Sequence, residues 1–244
     1  MSAPPPPRLS LSVVSHGQSA LVRQLLDDLV RLSPPGIEVL VTVNLPEDVD
    51  GYPACPFPVK FIHNAAPKGF GANHNAAFRA AQGQYFAVVN PDIRLTELDL
   101  DVLLHPLADP SVAAVAPVVL SVAGTVEDSV RRFPTVARLA RRVILKQRAP
   151  DYRWEQEPID VDWAAGMFIV FRSATFASVN GFDDHRFFMY FEDVDICARL
   201  RARGARIVLQ PRVSVIHDAR RDSHRSAMHL RWHLTSAARY LTGL

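Results

Sequence analysis

The sequence predicts an α/β fold with a mostly parallel central sheet flanked by helices. Short apolar runs alternate with segments of helical periodicity through about residue 120, which is typical of repeated strand–helix–strand units. Two of these runs, 37–43 and 85–89, are almost continuously apolar, as expected for strands covered on both faces. Polar residues directly follow the runs, at the edge where open parallel sheets bind ligands.

Apolar periodicity and helix-stop residues locate the individual elements. Short, mainly apolar segments predict strands at 9–15, 37–43, 59–62, 85–89, 112–119, 167–171, 206–209 and 213–216. Apolar or alanine-rich helical spacing predicts helices at 18–32, 72–81, 97–105, 136–147, 173–179, 192–203 and 224–241. Three of the helices end before the segment 34–36, Gly83 and Gly204 respectively, because proline and glycine terminate helices.

Composition points to a globular protein without disulfides. The chain has 244 residues, of which 48% are hydrophobic and 21% are charged, which argues against disorder. No apolar run approaches the roughly 20 residues that span a bilayer. Only two cysteines, Cys55 and Cys197, are present, so a reducing cytoplasm is the expected location. We expect a disordered proline-rich start at 1–8 and one domain at 9–244, with halves at 9–120 and 121–244.

The positive charge of the chain is concentrated in arginine. Only three of the 27 Lys and Arg residues are lysines, and arginine suits bidentate binding of phosphate and carboxylate. The basic segment 131–148 has two equally supported interpretations. It is either a solvated helix face or a surface that contacts anionic lipid headgroups or a diphosphate-bearing substrate. Nucleic acid is not expected, because no nucleic-acid-binding motif accompanies it. The seven basic residues, with no acid among them, are Arg131, Arg132, Arg138, Arg141, Arg142, Lys146 and Arg148.

Polar side chains follow each of the first four strands, and we expect them to meet at one ligand-binding edge. Asp92 stands behind Pro91 at the end of the fourth strand. A carboxylate there can hold Mg²⁺ or Mn²⁺ against a diphosphate, although Asn-Pro-Asp is also a natural turn. The strand-end candidates are Ser15, His16, Asn44, Lys68, Gly69, Phe70, Gly71, Asn73, Asn90 and Asp92.

A second acidic cluster, Glu192 and Asp193, follows the aromatic run 187–191. Helix capping and the helix dipole favour acids at this place, but they do not explain the bulky residues before them. A carboxylate beside an apolar wall is desolvated, which raises its pKa and makes it a better general base. The aromatic faces, including Tyr190 and Phe191, also suit sugar rings.

Two further patterns admit other interpretations. Gly69 and Gly71 precede a helix, with Asp92 about 20 residues on, as in a dinucleotide-binding loop. The third glycine of that motif is replaced by His74, so an NAD(P)-dependent oxidoreductase is a minor alternative. His229 and His233 have the i, i+4 spacing of metal ligands, but without a third ligand they are interpreted as a packed or exposed pair.

Seven motifs occur in an order that resembles the family 2 glycosyltransferases. The likeness is strongest to rhamnosyltransferase-like members that build bacterial surface polysaccharides, and it covers roughly residues 9 to 240. The motifs are Val13-Val14-Ser15, Lys68-Gly69-Phe70-Gly71-Ala72-Asn73, Val88-Val89-Asn90-Pro91-Asp92, Trp163-Ala164-Ala165-Gly166-Met167, Gly181-Phe182-Asp183, Phe191-Glu192-Asp193-Val194-Asp195 and Val215-Ile216-His217.

The resemblance implies a GT-A (Rossmann-like) fold, a nucleotide-diphospho-sugar donor in the first half and an acceptor in the second. It implies that Asp92 and His217 bind a divalent cation, with Asn90 in place of the motif's first acid, and that Asp193 is the general base, with Glu192 beside it. The segment 69–73 would pass beneath the nucleotide. The implied acceptor-side residues are Trp163, Gly166, Met167, Tyr190 and Phe191.

The resemblance further implies inversion at the anomeric carbon, with dTDP- or UDP-sugar as donor and rhamnose as the leading sugar. The acceptor is expected to be a glycan, including one carried on polyprenyl diphosphate, with the enzyme in the cytoplasm or peripheral at the inner face of the membrane. His16 and Asn44 depart from the usual family residues, which leaves the nucleobase open. A catalytically inactive sugar-nucleotide-binding or scaffold protein is the alternative, which the two acids Asp92 and Asp193 disfavour.

Overall fold

The computed structural model describes residues 5–138, 141, 150–218 and 227–243. The strands are β1 (Leu9–Ser15), β2 (Ile37–Val43), β3 (Val59–His63), β4 (Tyr85–Val89), β5 (Ile93–Arg94), β6 (Val112–Ser121), β7 (Val130–Arg131), β8 (Ile159–Val161), β9 (Trp163–Ala164), β10 (Phe168–Arg172) and β11 (Arg206–His217). The helices are α1 (Ser19–Leu32), α2 (Phe70–Ala80), α3 (Leu100–Leu104, continued by a 3₁₀ turn at His105–Ala108), α4 (Ser173–Ser178), α5 (Glu192–Ala202) and α6 (Ala227–Thr242).

One large sheet has the strand order β3-β2-β1-β4-β10-β6-β11-β5, and β8 also pairs with β11. Strands β3, β2, β1 and β4 are mutually parallel, as are β6 and β11. Strand β10 runs antiparallel between β4 and β6. The predicted α/β fold with a mostly parallel sheet is therefore confirmed, and strands from both predicted halves of the chain share this sheet.

Helices cover both faces of the sheet, which explains why its central strands are apolar at nearly every position. On one face, Leu25 and Leu29 of α1 pack with Leu103 of α3 against the sheet. On the other face, Phe176 of α4 and Leu200 of α5 lie in a second buried cluster with residues of α2. Successive side chains of the central strands alternate between the two clusters, so both faces of the sheet are covered.

The structure corrects the predicted boundaries in the second half of the chain. The segments 206–209 and 213–216 form one strand, β11, with a register shift between Gln210 and Ser214. Pro211 lies in this irregular stretch, and proline lacks the N–H that a regular ladder needs. The short strands β5, β7, β8 and β9 were not predicted, because two or three residues carry no detectable periodicity.

Some predicted features fall on residues outside the described ranges. Residues 136–138 and 141 of the predicted basic helix at 136–147 are helical, and the others lie outside the described part of the chain. Residues 224–226 of the predicted last helix and residues 1–4 also lie outside the described part of the chain. Arg8, assigned to the proline-rich start, bonds to the sheet: its N–H donates to the Gly36 carbonyl at 2.6 Å and its carbonyl accepts from Tyr85.

Candidate active site

A cavity of about 970 Å³ lies at the carboxyl ends of β1, β2 and β4. Its walls also include the segment 163–167, the aromatic run 188–191, helix α6 and five residues of a basic stretch, which are Arg131, Arg132, Pro134, Arg138 and Arg141. The predicted site residues that line it are His16, Asn44, Lys68, Phe70, Asn73, Asn90, Asp92, Trp163, Gly166, Met167, Tyr190, Phe191, Glu192 and Asp193.

Three predicted donor residues lie behind the cavity wall. Ser15 is buried, and its Oγ accepts a hydrogen bond from the Gln18 N–H. A Cβ at Gly69 would lie 2.2 Å from the carbonyl oxygen of Phe188, so only glycine permits this close approach. A Cβ at Gly71 would lie 2.8 Å from the Cβ of Phe182. These glycines bring α2 against the segment 182–188, and their contact with a nucleotide remains a prediction.

The Asn44 side chain connects three strand ends at the predicted donor side. Its Oδ1 accepts hydrogen bonds from the Lys68 N–H and the Asn64 amide, both at 2.8 Å. Its Nδ2 lies 2.9 Å from Nδ1 of His16 and donates to the Lys68 carbonyl. Asn64 also bonds to Asn73 at 2.6 Å. This network fixes the polar rim before any ligand binds, and it includes Asn64, which the sequence analysis did not assign.

Asp92 and His217 meet at the end of β4, although 125 positions separate them in sequence. Oδ2 of Asp92 lies 3.3 Å from Nε2 of His217, and Oε2 of Glu127 lies 2.7 Å from Nδ1 of the same ring. Burial lowers the pKa of His217, but the hydrogen bonds and charges of the two carboxylates outweigh it and raise the pKa to about 9. The imidazole is therefore positively charged at neutral pH.

The residues at this point fit a divalent cation that a substrate helps to coordinate. Oδ1 of Asp92 is buried and has no hydrogen-bond partner among the residues described. Within those residues, no group of three or more His, Cys, Asp or Glu side chains could hold a metal alone. One carboxylate with one imidazole suits Mg²⁺ or Mn²⁺ when diphosphate oxygens complete the shell. His217 would have to lose its proton to bind through Nε2.

Asp193 is held by backbone groups at the cavity surface. The Gly166 N–H donates to its Oδ2 at 3.0 Å, and the Val194 N–H donates to its Oδ1 at 2.9 Å. Desolvation raises the pKa of Asp193, while these hydrogen bonds and the charge of Arg131 oppose the increase. The carboxylate is thus oriented toward the cavity with a basicity above that of an exposed aspartate.

Glu192 is 4% exposed, and its Oε2 has no hydrogen-bond partner within the described ranges. Desolvation and the charge of Asp193 both raise its pKa. Two buried neighbouring carboxyls retain a proton more readily than either would alone. Both carboxyls of this adjacent pair therefore have raised pKa values, and backbone N–H groups contact both carboxylate oxygens of Asp193.

The aromatic run reaches this acidic pair through strained backbone. Tyr190 and Phe191 have φ values of 70° and 69°, which side chains of this size rarely adopt. Such strain persists only where surrounding contacts impose it, and it is common at functional sites. Phe187 and Phe191 are buried in a small apolar cluster with Val194. These contacts explain the bulk of Phe187 and Phe191, whereas Phe188, Met189 and Tyr190 line the cavity.

Helix α6 contributes a wall that the sequence analysis did not assign to the site. His229 accepts or donates a hydrogen bond with the Tyr190 hydroxyl at 2.8 Å, and His233 packs on the Tyr190 and Phe191 rings. Trp232 lies 5.1 Å from Phe188 between ring centroids. The spacing of His229, Trp232 and His233 on one helical face was the available signal. His229 is partly buried and His233 is exposed, and both line the cavity.

The fold and cavity define a GT-A glycosyltransferase. The chain belongs to glycosyltransferase family 2, because the family model described as "Glycosyl transferase family 2" matches residues 10–174. It is 30% identical over 247 residues to rhamnosyltransferase WbbL of Escherichia coli (strain K12), covering 94% of this chain and 90% of that protein. The motif-based resemblance to rhamnosyltransferase-like members is therefore confirmed, and it replaces the oxidoreductase alternative.

Two other similar proteins extend the comparison. The N-acetylglucosaminyl-diphospho-decaprenol L-rhamnosyltransferase of Mycobacterium tuberculosis (strain ATCC 25618 / H37Rv) is 32% identical over 165 residues, which is 63% of this chain and 53% of that protein. The mannosyltransferase PcManGT of Pyrobaculum calidifontis, solved with GDP-Man and Mn²⁺, superposes with a TM-score of 0.62 at 20% identity. That match covers 96% of this chain and 65% of PcManGT, and it supports the fold.

No helix in the described part of the chain is long and apolar enough to cross a membrane.

Proposed function

We propose that this glycosyltransferase transfers rhamnose, with inversion, from a dTDP- or UDP-sugar to a glycan acceptor linked to polyprenyl diphosphate at the cytoplasmic face of the membrane. The names of the similar rhamnosyltransferases support the sugar, and one of them names a diphospho-decaprenol acceptor. The observation that carries the proposal is that Asp92 and Asp193 line the same cavity.

Asp193 is the general base of the proposed reaction. Its carboxylate is fixed by the Gly166 and Val194 N–H groups and faces the cavity. It accepts the proton of an acceptor hydroxyl while that oxygen attacks the anomeric carbon opposite the diphosphate. A single displacement inverts the anomeric centre, so no second carboxylate is needed as nucleophile.

Asp92 and His217 would hold the divalent cation beside the leaving diphosphate. The bound cation would supply positive charge that stabilises the diphosphate as it leaves. Glu127, through its 2.7 Å contact with Nδ1, fixes the orientation of the His217 ring, as carboxylates commonly do for metal-binding histidines. The sequence analysis did not identify Glu127, because it lies in an irregular polar stretch.

The remaining cavity residues divide between donor and acceptor. The rim built on His16, Asn44 and Lys68 would bind the nucleoside and diphosphate. We expect Trp163 and Met167, which also line the cavity, to lie between the two substrates, with Tyr190 stacking on an acceptor sugar.

The decisive experiment replaces Asp193 with asparagine, which keeps the shape and removes the base. We expect transfer from dTDP-rhamnose to fall roughly 10²- to 10⁴-fold, while affinity for dTDP changes less than about 2-fold. Nucleotide release with a lipid-linked acceptor measures transfer, and calorimetry measures affinity. Asp50→Asn, at an exposed position, is the matched control. Undiminished transfer by D193N would reject Asp193 as the base.

A thermal-shift screen would identify the donor. The bound sugar nucleotide raises the melting temperature by mass action. We expect dTDP-rhamnose with Mn²⁺ or Mg²⁺ to stabilise the protein more than UDP- or GDP-sugars do. A larger shift with GDP-mannose would reject the proposed donor.

A further inference from the structure

The cavity has a strongly basic wall that the catalytic proposal does not use. Arg131, Arg132, Arg138 and Arg141 all line it. Asp92, Glu192 and Asp193 also line the cavity, but they come from the strand end and from α5. The four arginines instead come from the segment 131–141, which contains no acidic residue.

The charge of three of these arginines is available for a ligand. Arg131 is already paired with Asp128 at 2.8 Å. Arg132 lies 5.6 Å above the Tyr152 ring, and Arg138 donates to the Phe133 carbonyl at 2.9 Å. Neither interaction neutralises a guanidinium. Asp151 also lines this wall and accepts a hydrogen bond from the Arg132 backbone N–H, so the three arginines still outnumber the nearby acid.

Two of the guanidiniums belong to Arg138 and Arg141, which both have helical conformation. Arg138 and Arg141 are three positions apart, which places them on one helical face. Both are exposed and both reach the cavity. Adjacent guanidiniums bind phosphate oxygens with paired N–H donors. Their spacing therefore suits a diphosphate better than a single carboxylate.

The basic wall adjoins the acceptor side of the cavity. The Trp163 indole N–H donates to the Arg132 carbonyl at 3.1 Å, and the Arg131 guanidinium lies 6.0 Å from the Trp163 ring centroid. The cavity also contains the exposed apolar side chains Phe188 and Met228. A basic wall and apolar side chains in one cavity fit a ligand with a diphosphate and a hydrocarbon chain.

We propose that Arg132, Arg138 and Arg141 form a second anion site that binds the diphosphate of a prenyl-linked acceptor. This inference rests on the proposed function for the identity of the acceptor. It assigns the donor diphosphate and the acceptor diphosphate to different residues of one cavity. The first isoprene units contact Phe188 and Met228.

Farnesyl diphosphate is a soluble probe of this site, and its binding requires no sugar transfer. We expect calorimetry to detect its binding in the presence of saturating dTDP, with farnesol binding much more weakly. The double variant Arg138→Gln/Arg141→Gln should lose roughly 10- to 100-fold in affinity for farnesyl diphosphate, with unchanged dTDP affinity and melting temperature. The matched control is Arg23→Gln/Arg79→Gln, which removes two exposed arginines from α1 and α2.

Three outcomes would overturn the inference. The first is equal farnesyl diphosphate affinity in the double variant and the unmodified protein, or no binding to either. The second is displacement of farnesyl diphosphate by dTDP, which would place both diphosphates in one site. The third uses phosphatidylglycerol and phosphatidylcholine vesicles. If the double variant loses phosphatidylglycerol binding but keeps its farnesyl diphosphate affinity, the arginines bind lipid headgroups instead.

Failure of the proposed function and failure of the anion site give different experimental results. If dTDP-rhamnose is not a donor but the double variant still loses farnesyl diphosphate binding, the anion site stands and the donor assignment fails. If transfer proceeds and the double variant binds farnesyl diphosphate normally, the proposed function stands and the anion site is rejected.

Discussion

Replacing Glu192 with glutamine should flatten the pH dependence of protein stability. Glu192 is buried beside Asp193, and its Oε2 has no hydrogen-bond partner in the described structure. Burial and the charge of Asp193 raise its pKa above the ordinary value of 4.5. The folded protein therefore keeps a proton at pH values where the unfolded chain has released it.

The sign and the size of the effect follow from this difference in bound protons. The contribution of the Glu192 proton to the free energy of unfolding is fully present below pH 4.5. This contribution is lost as pH rises through the higher pKa of the folded state. Over this window the free energy of unfolding falls by about 1.4 kcal/mol per pH unit for the one proton involved. Asp28 and Glu38 have lowered pKa values, so their stabilisation is lost only at more acidic pH.

Urea unfolding at pH 5, 6 and 7 tests this reasoning. E192Q should gain stability relative to the unmodified protein across the series, by up to about 1.4 kcal/mol per pH unit. Glu97→Gln, at an exposed position, should follow the unmodified protein. Parallel stability curves for E192Q and the unmodified protein would refute the assignment of a retained proton to Glu192.

Three further outcomes test the cation site and the packing around the cavity. Asp92→Ala should abolish the effect of Mn²⁺ on dTDP affinity, and calorimetry with and without chelator checks this; equal affinities throughout, in both proteins, would contradict a cation at Asp92. Gly69→Ala should destabilise the protein by about 1–3 kcal/mol, because its Cβ would meet the Phe188 carbonyl; unchanged urea unfolding would exclude this close approach. Phe176→Ala should cost about 3–5 kcal/mol, since the ring packs against four other phenylalanines; a loss below 1 kcal/mol would contradict its place in the core.

The regular elements were predictable because each has a local signature. The bounds of β2 and β4 follow from nearly continuous apolar runs, those of β1 from an apolar pattern interrupted by serines, and those of α1 from apolar spacing and the stop at 34–36. The strand pairing was not predictable in this way. Strand β10 lies far from β4 and β6 in the sequence yet enters the sheet between them, and local periodicity contains no information about such distant partners.

The same distinction between local signals and long-range contacts decides which cavity residues were predictable. Strand-end residues such as Asn44 and Asp92 were predictable, because parallel strands bring their carboxyl ends to one edge. Glu127 was missed, since it joins the site only through its contact with His217, 90 positions away in the chain. Asn64 directly follows β3, but it was missed because the third strand was predicted to end at residue 62. The wall formed by α6 was missed because its aromatic and histidine face resembles an ordinary buried face.

The sequence by itself determined the α/β class, the glycosyltransferase family and the two acids to which the chemistry is assigned, because periodicity and ordered motifs are local properties of the chain. The tertiary structure alone decided that His217 lies between Asp92 and Glu127, that Oε2 of Glu192 is buried without a hydrogen-bond partner among the described residues, and that Arg131, Arg132, Arg138 and Arg141 face the same cavity. These are matters of distance between remote segments, and proton affinity and charge pairing depend on such distances rather than on position along the chain.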